Sequence, residues 1–221
     1  MAILTQKQIL DRITKGEISF KPGLDEFQVQ AHAIDMRLGH TFLLPKSWHM
    51  TEKGREALKI DHLDKNRPDY FDVIELEQGQ YFELLPGEYV LASTFESVKL
   101  PQDVAAILYP RSSTNRKGLS VDLTGIVDAG WEGQLVIPIR NNTSSQVVKL
   151  YPGERFCQIV FELLEETVNA DKSRYHQKDI VEGFIRNNEE KKKRDQEEIN
   201  YVSSGKIREL KQDKAIKNQK Q

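Results

Sequence analysis

Residues 81–85 (YFELL), 89–94 (YVLAST), 104–108 (VAAIL), 119–123 (LSVDL), 134–140 (QLVIPIR), 147–150 (VVKL) and 156–163 (FCQIVFEL) are seven short apolar runs at roughly ten-residue spacing, separated by turn residues. Short β-prone runs at this interval predict an antiparallel sandwich or barrel. The chain also echoes itself. LLPGE at 84–88 and LYPGE at 150–154 place the same Pro-Gly turn before similar strands, as two corresponding hairpins of a double-sheet roll would.

Outward from this block, Thr5-Gln6-Lys7-Gln8 has the form of a capping box. Ile9, Leu10 and Ile13 share one helical face and Gly16 is the stop, so a short amphipathic helix is expected. Residues 18–22 read as a brief strand entering a Pro-Gly turn. In residues 33–39 (AIDMRLG), alternation puts Ile34, Met36 and Leu38 on one face of a strand and Asp35 and Arg37 on the other. Taken alone, that suits an exposed acid–base pair on an edge strand. His32 and His40 flank it without ligand partners at metal spacing. Residues 45–80 are a polar excursion expected to hold one or two short strands.

After Glu166 the β pattern stops. Residues 188–221 hold ten Lys/Arg against seven Asp/Glu and few large apolar residues, which predicts a frayed helix or a disordered tail. The expected division is a domain at 1–187 and a charged tail at 188–221. The tail is the basic part, +3 against −5 for the body.

At 221 residues and 38% hydrophobic content, one domain with extensions is the natural reading. A net charge of −2 supplies no global field for nucleic acid or membranes, so phosphate binding has to come from local clusters. The single Cys157 excludes an intramolecular disulfide and a cysteine zinc site, and its apolar setting predicts a buried, inert thiol. No apolar run reaches the ~18 residues of a membrane span, and the N-terminus lacks a signal pattern. A soluble, cytoplasmic protein is expected.

Such a cluster lies in residues 109–131, YPRSSTNRKGLSVDLTGIVDAGW. Arg111, Ser112, Ser113 and Arg116 crowd before Gly118, and guanidinium forks with hydroxyls suit phosphate oxygens. Asp128 then sits on a turn between Gly125 and Gly130, beside Trp131. Clamp, carboxylate and aromatic together suggest a nucleotide site; a loop of this composition also suits a solvated connection.

Several segments, in this order, resemble the dCTP deaminase/dUTPase family. The N-terminal helix with Gly16 and residues 33–39 look like the opening and first motif of its deaminase branch. EYVLASTFESVKLP (88–101) is very similar to the segment leading into the active site. Residues 110–119, 125–131 and 150–161 match the second, third and fourth motifs, and the likeness runs from about residue 3 to 177. The resemblance implies an all-β distorted jelly roll (a β-clip, dUTPase-like) with a short N-terminal helix and a charged C-terminal tail. It also implies a homotrimer with shared active sites.

The site residues follow from the same resemblance. Arg111, Ser112 and Ser113 would bind phosphates, with Ser113 at the bridging oxygen. Asp128 would position the attacking water, and Asp35 would hold Mg2+ through water. Gly125 would approach the pyrimidine, Trp131 would pack on the deoxyribose, and Arg116 and Gln158 would lie near the base. Tyr175 and Gln177 resemble the segment that folds over bound nucleotide.

The branch's deaminases carry a proton-shuttling glutamate on the strand after the third motif. Here Pro138 stands at that position, and proline neither accepts nor donates a proton. The expected activity is therefore Mg2+-dependent hydrolysis of dUTP to dUMP and diphosphate. The alternatives are a dCTP deaminase or bifunctional enzyme and a non-catalytic nucleotide-binding regulator. Proline inside a strand also demands an edge, a bulge or a lost ladder bond.

Overall fold

Each of the seven predicted runs contributes a strand, residues 122–123 of one run lying outside the described residues. The structure, a computed structural model, describes residues 2–61, 70–121, 125–168, 180–181 and 193–215. The chain begins with β1 (Ala2–Ile3), α1 (Gln6–Thr14), β2 (Ser19–Lys21), a 3-10 turn at Glu26–Gln28 and the long β3 (Ile34–Pro45). Then come β4 (Trp48–Thr51), β5 (Gly54–Ala57), β6 (Phe71–Glu75), β7 (Phe82–Leu84), β8 (Tyr89–Lys99) and β9 (Val104–Pro110). A short helix, α2 (Ser112–Arg116), leads into β10 (Leu119–Val121), β11 (Ile126–Val127), β12 (Glu132–Asn141), β13 (Val148–Leu150) and β14 (Arg155–Leu163). Helices α3 (Lys193–Ser203) and α4 (Ile207–Asp213) follow.

Two compact units divide the chain. The first, Met1–Lys46 with Phe71–Arg186, holds a curled antiparallel sheet in the order β10-β12-β8-β3-β14-β9-β11. β1, β2 and β6 add to β14, β8 and β3, and β7 pairs with β13 in the Pro-Gly echo. This is the expected distorted jelly roll. Its strands alternate as the sequence predicts: in β12, Leu135, Ile137 and Ile139 are buried, while Gln134, Val136 and Pro138 are half-buried and Arg140 is exposed. The core takes Ile34, Met36, Leu38 and Phe42 from β3, with Phe42 stacked on Phe82 at 4.9 Å. Each such side chain contributes about 1.5–3 kcal/mol on burial. Cys157 lies in the same core, where burial pushes its thiol well above the usual range.

At the chain start, Gln8 closes the capping box by accepting the Thr5 N–H at 2.9 Å. One expectation fails on β3. It is no edge strand, because β8 and β14 flank it, and the face carrying Asp35 is covered. Gly39 lets β3 cross close over β8: a Cβ there would lie 2.5 Å from Ser93 Oγ.

The second unit comprises Ser47–Tyr70 and Asn187–Gln221, so the division differs from the expected boundary at residue 187. It contains the β4–β5 hairpin, where Arg55 lies 4.7 Å over the Trp48 ring. Residues of the charged tail form α3 and α4, tied by Tyr201 to Asp213 at 2.8 Å and Lys214 to Glu197 at 2.7 Å. No helix among the described residues is long and apolar enough to cross a membrane.

Candidate active site

β14 runs between β3 and β9, and its register sets Gln158 opposite Asp35 on one side and Tyr109 on the other. Arg111 follows directly after β9, and Arg155 opens β14. Three stretches far apart in sequence thus converge on one carboxylate. Asp35 is only 1% exposed. Its Oδ2 faces Arg111 Nε at 3.2 Å, Arg155 Nη1 at 3.3 Å and Gln30 Nε2 at 3.3 Å, while Gln158 Nε2 donates to Oδ1 at 2.9 Å. A buried carboxylate costs several kcal/mol in desolvation unless it is paired and hydrogen-bonded. Here two guanidinium groups and two amides meet that cost.

The arginines are themselves tied to the backbone. Arg111 Nη1 donates to the Arg155 carbonyl at 3.0 Å, and Arg155 Nη1 donates to the Phe27 carbonyl. Behind them, Gln28 Nε2 donates to the Asp35 carbonyl at 2.9 Å and to buried Glu96 at 2.7 Å. Glu96 also accepts the Arg37 N–H at 3.0 Å, and burial raises its carboxyl above the usual range.

After Arg111 the chain turns through α2. Phe156 O accepts both the Arg111 N–H at 3.3 Å and Thr114 Oγ1 at 2.9 Å, which pins the turn to β14. Ser112, Ser113 and Arg116 stand exposed, with Arg116 Nη2 at 3.3 Å from Ser112 Oγ. Gly118, at φ 80°, ends the turn close against Thr143, where a Cβ would meet Cγ2 at 2.5 Å.

The third-motif residues lie elsewhere. β11 pairs with β9 as Ile126↔Ile107 and Val127↔Ala106. Beyond it, the turn carrying Asp128 is fastened by Gly130 N–H to Pro101 O at 3.0 Å and by Leu100 N–H to Trp131 O at 2.8 Å. Asp128 is exposed and makes no side-chain hydrogen bond or ion pair among the described residues. Gly125 is exposed too, whereas Trp131 packs half-buried on the core. Continuing the register sets Asp128 opposite Ala105, six residues from Arg111 along β9, or roughly 20 Å.

Pro138 sits within β12 opposite Leu91 of β8. On the β10 side the described pairs run from Leu119↔Asn141 to Val121↔Ile139. The β8–β12 bulge lies away from Pro138, between Gln134 and Val136. On the same face, Val136 packs with Leu43, Leu91 and Ile180 in a second apolar cluster.

The expected site residues thus fall in two groups. Arg111, Gln158 and Asp35 meet; Gly125, Asp128 and Trp131 stand apart; Tyr175 and Gln177 lie outside the described residues. Arg155, Gln28 and Gln30 were not foreseen. The signal for Arg155 was its place three residues before Gln158 in the fourth motif, but only the β3–β14 register reveals its partner.

Asp35 does not fit a magnesium site. Mg2+ takes near-octahedral oxygen ligands and keeps several waters. Here Oδ2 already holds two cationic groups, where a dication would have to sit. Among the described residues no three His, Cys, Asp or Glu are placed to hold a metal.

The family model of the dCTP deaminase-like proteins matches residues 3–164. The chain belongs to the dCTP deaminase-like family. It is 37% identical over 169 residues to the dUMP-forming dCTP deaminase of Methanosphaera stadtmanae, a match covering 74% of this chain and 80% of that protein. The dUMP-forming dCTP deaminase of Dictyoglomus turgidum is 40% identical over 161 residues, covering 72% and 79%. The crystal structure of the 2'-deoxycytidine 5'-triphosphate deaminase of Agrobacterium tumefaciens superposes with a TM-score of 0.55 at 26% identity. That match covers 73% of this chain and 48% of the other, so the chain spans about half of that protein.

These relatives overturn the expectation of a dUTP diphosphatase, because family members of this similarity and coverage are dUMP-forming dCTP deaminases. The expectation rested on one residue. Pro138 was set above motif-by-motif likeness to the deaminase branch.

Proposed function

We propose that the chain converts dCTP to dUMP, releasing ammonia and diphosphate. Water adds at C4 of the cytosine and ammonia leaves, giving the uracil ring. A second water attacks the α-phosphorus and the diphosphate departs. The observation that carries this reading is the Arg111 turn. Two guanidinium groups on one buried carboxylate stand beside the exposed Ser112 and Ser113 hydroxyls, in a chain 37–40% identical to dUMP-forming deaminases.

In this assignment Arg111 and Ser112 take phosphate oxygens, and Ser113 donates to the bridging oxygen as charge develops there. Asp128 accepts a proton from the water that attacks phosphorus. Trp131 packs on the deoxyribose, Gly125 admits the pyrimidine to the backbone, and Arg116 and Gln158 border the base. Tyr175 and Gln177 close over it. Mg2+ belongs to the substrate, carried on its phosphates.

The roughly 20 Å between Asp128 and Arg111 exceeds what the two side chains can bridge. This supports a site shared between copies, each lending Asp128 to its neighbour's Arg111 turn, as in the homotrimer that the family resemblance implies.

Pro138 favours a second reading, in which nucleotide binds without deamination. The experiment is to incubate the full chain with dCTP and Mg2+ and to measure ammonia and dUMP. Equal release of both is expected. Bound dCTP with no ammonia would establish the second reading; Pro138→Glu, which restores a proton carrier, should then raise ammonia release at least about tenfold.

A further inference from the structure

The geometry points to Asp35 as the positioning residue of a two-arginine phosphate grip, in which Arg155 is the second phosphate-binding residue beside Arg111. The ligand is the di- or triphosphate of the nucleotide proposed above, so the inference rests on that reading for its substrate. The arrangement of the grip itself rests on this chain's own contacts.

Both guanidinium groups converge on the same carboxylate oxygen, Oδ2, at 3.2 and 3.3 Å. Two cations and one anion leave a net +1, and like charges held this close call for a further anion. Their remaining donors are placed to receive one. Arg111 spends Nε on Asp35 and Nη1 on the Arg155 carbonyl, leaving Nη2 without a partner among the described residues. Arg155 spends Nη1 on Phe27 O and Asp35, leaving Nε and Nη2 without a partner among the described residues. The two side chains are 26% and 32% exposed, whereas Asp35 is 1% exposed, so the carboxylate is sealed and the free guanidinium edges reach solvent.

The planar fork binds phosphate well only when its orientation is fixed beforehand. Asp35 supplies that fixation, seconded by Gln158 on its other oxygen. It acts through the arginines and touches neither phosphate nor metal. This assigns to Asp35 a task opposite in sign to holding a cation.

The test uses the full chain, with inorganic diphosphate as the probe and calorimetry run first in chelator and then across a Mg2+ titration. Arg155→Gln and Asp35→Asn should each weaken diphosphate binding by about tenfold or more, and the double variant by little beyond either, because the residues work as one unit. Arg155→Lys keeps the charge but loses the fork, and should still lose about fivefold. It decides the matter if Asp35→Asn does not fold. Wild-type affinity in both Arg155 variants would overturn the grip. So would an Asp35→Asn protein that binds diphosphate normally in chelator and loses only its Mg2+ dependence, since that is the behaviour of a metal ligand. A wild-type chain that binds diphosphate as described yet yields neither ammonia nor dUMP from dCTP would sink the proposed function and leave this inference standing.

Discussion

The two ends of β9 are built on different physical terms. At its C-terminal end the strand delivers Arg111 to a carboxylate with 1% exposure and four side-chain partners, a second arginine among them. At its N-terminal end stands the Asp128 turn, fastened by backbone hydrogen bonds, with the carboxylate in solvent and without a side-chain partner among the described residues. One end is finished by folding. The other is stable without being complete. A group that must meet an anion gains from being locked in advance, and burying Asp35 provides the lock. A carboxylate that accepts a proton from water has to stay reachable, and here it is left for another surface to meet.

The largest effect should come from the exposed end. Asp128→Asn is expected to lower dUMP formation by about 10²–10⁴ while dCTP affinity stays within about tenfold. Stability should change by no more than about 0.5 kcal/mol, since the side chain is exposed and has no partner among the described residues. Turnover at the wild-type rate would remove Asp128 from the chemistry. Arg111→Ala should behave in the opposite way. It strips a partner from a buried carboxylate, so unfolding in denaturant should show a loss of about 3 kcal/mol, and dCTP binding should fall by about 10–100-fold. An Arg111→Ala protein as stable as wild type would mean that Asp35 is solvated, and the contrast between the two ends would collapse. Mixing the two inactive variants sharpens the comparison further. If each site takes Arg111 from one copy and Asp128 from another, co-refolded chains recover about a quarter of wild-type activity. No recovery would mean that both residues serve within a single chain.

The fold was legible because strand alternation is local. Leu135, Ile137 and Ile139 announce the inner face of β12 whatever lies beside it. The Arg111 turn was legible for the same reason, since its Arg and Ser residues are neighbours in sequence. Asp35 was misread as an exposed residue because alternation assigns a residue to a face and says nothing about what covers that face. Its cover comes from Arg111 and Arg155, 76 and 120 positions away, through the β3–β14–β9 register. Pro138 shows the converse error. It is a true local departure, set within β12 opposite Leu91, and too much of the reaction was inferred from it.

The smallest effect lies again at the Asp128 end. Asp103 precedes β9 and binds Arg12 of α1 through two contacts of 3.1 and 2.7 Å. Both side chains are partly open to solvent, at 20% and 28%, so the pair should be worth only about 1 kcal/mol. The hydrogen bonds from the Arg12 guanidinium hold the Asp103 carboxyl below its ordinary value of 3.8. A carboxylate lowered on folding stabilises the native state fully above its unfolded value, and that contribution disappears as the pH falls through the lower folded value. Asp103→Asn should therefore be about 1 kcal/mol less stable than wild type at pH 7. The two should converge below pH 3.8, where the protonated acid and the amide are near-equivalents, and chemical denaturation across that range reads the gap directly. A gap that persisted in acid would mean that Asp103 acts through shape rather than charge, and that the solvent-reached end of β9 is as firmly locked as the buried one.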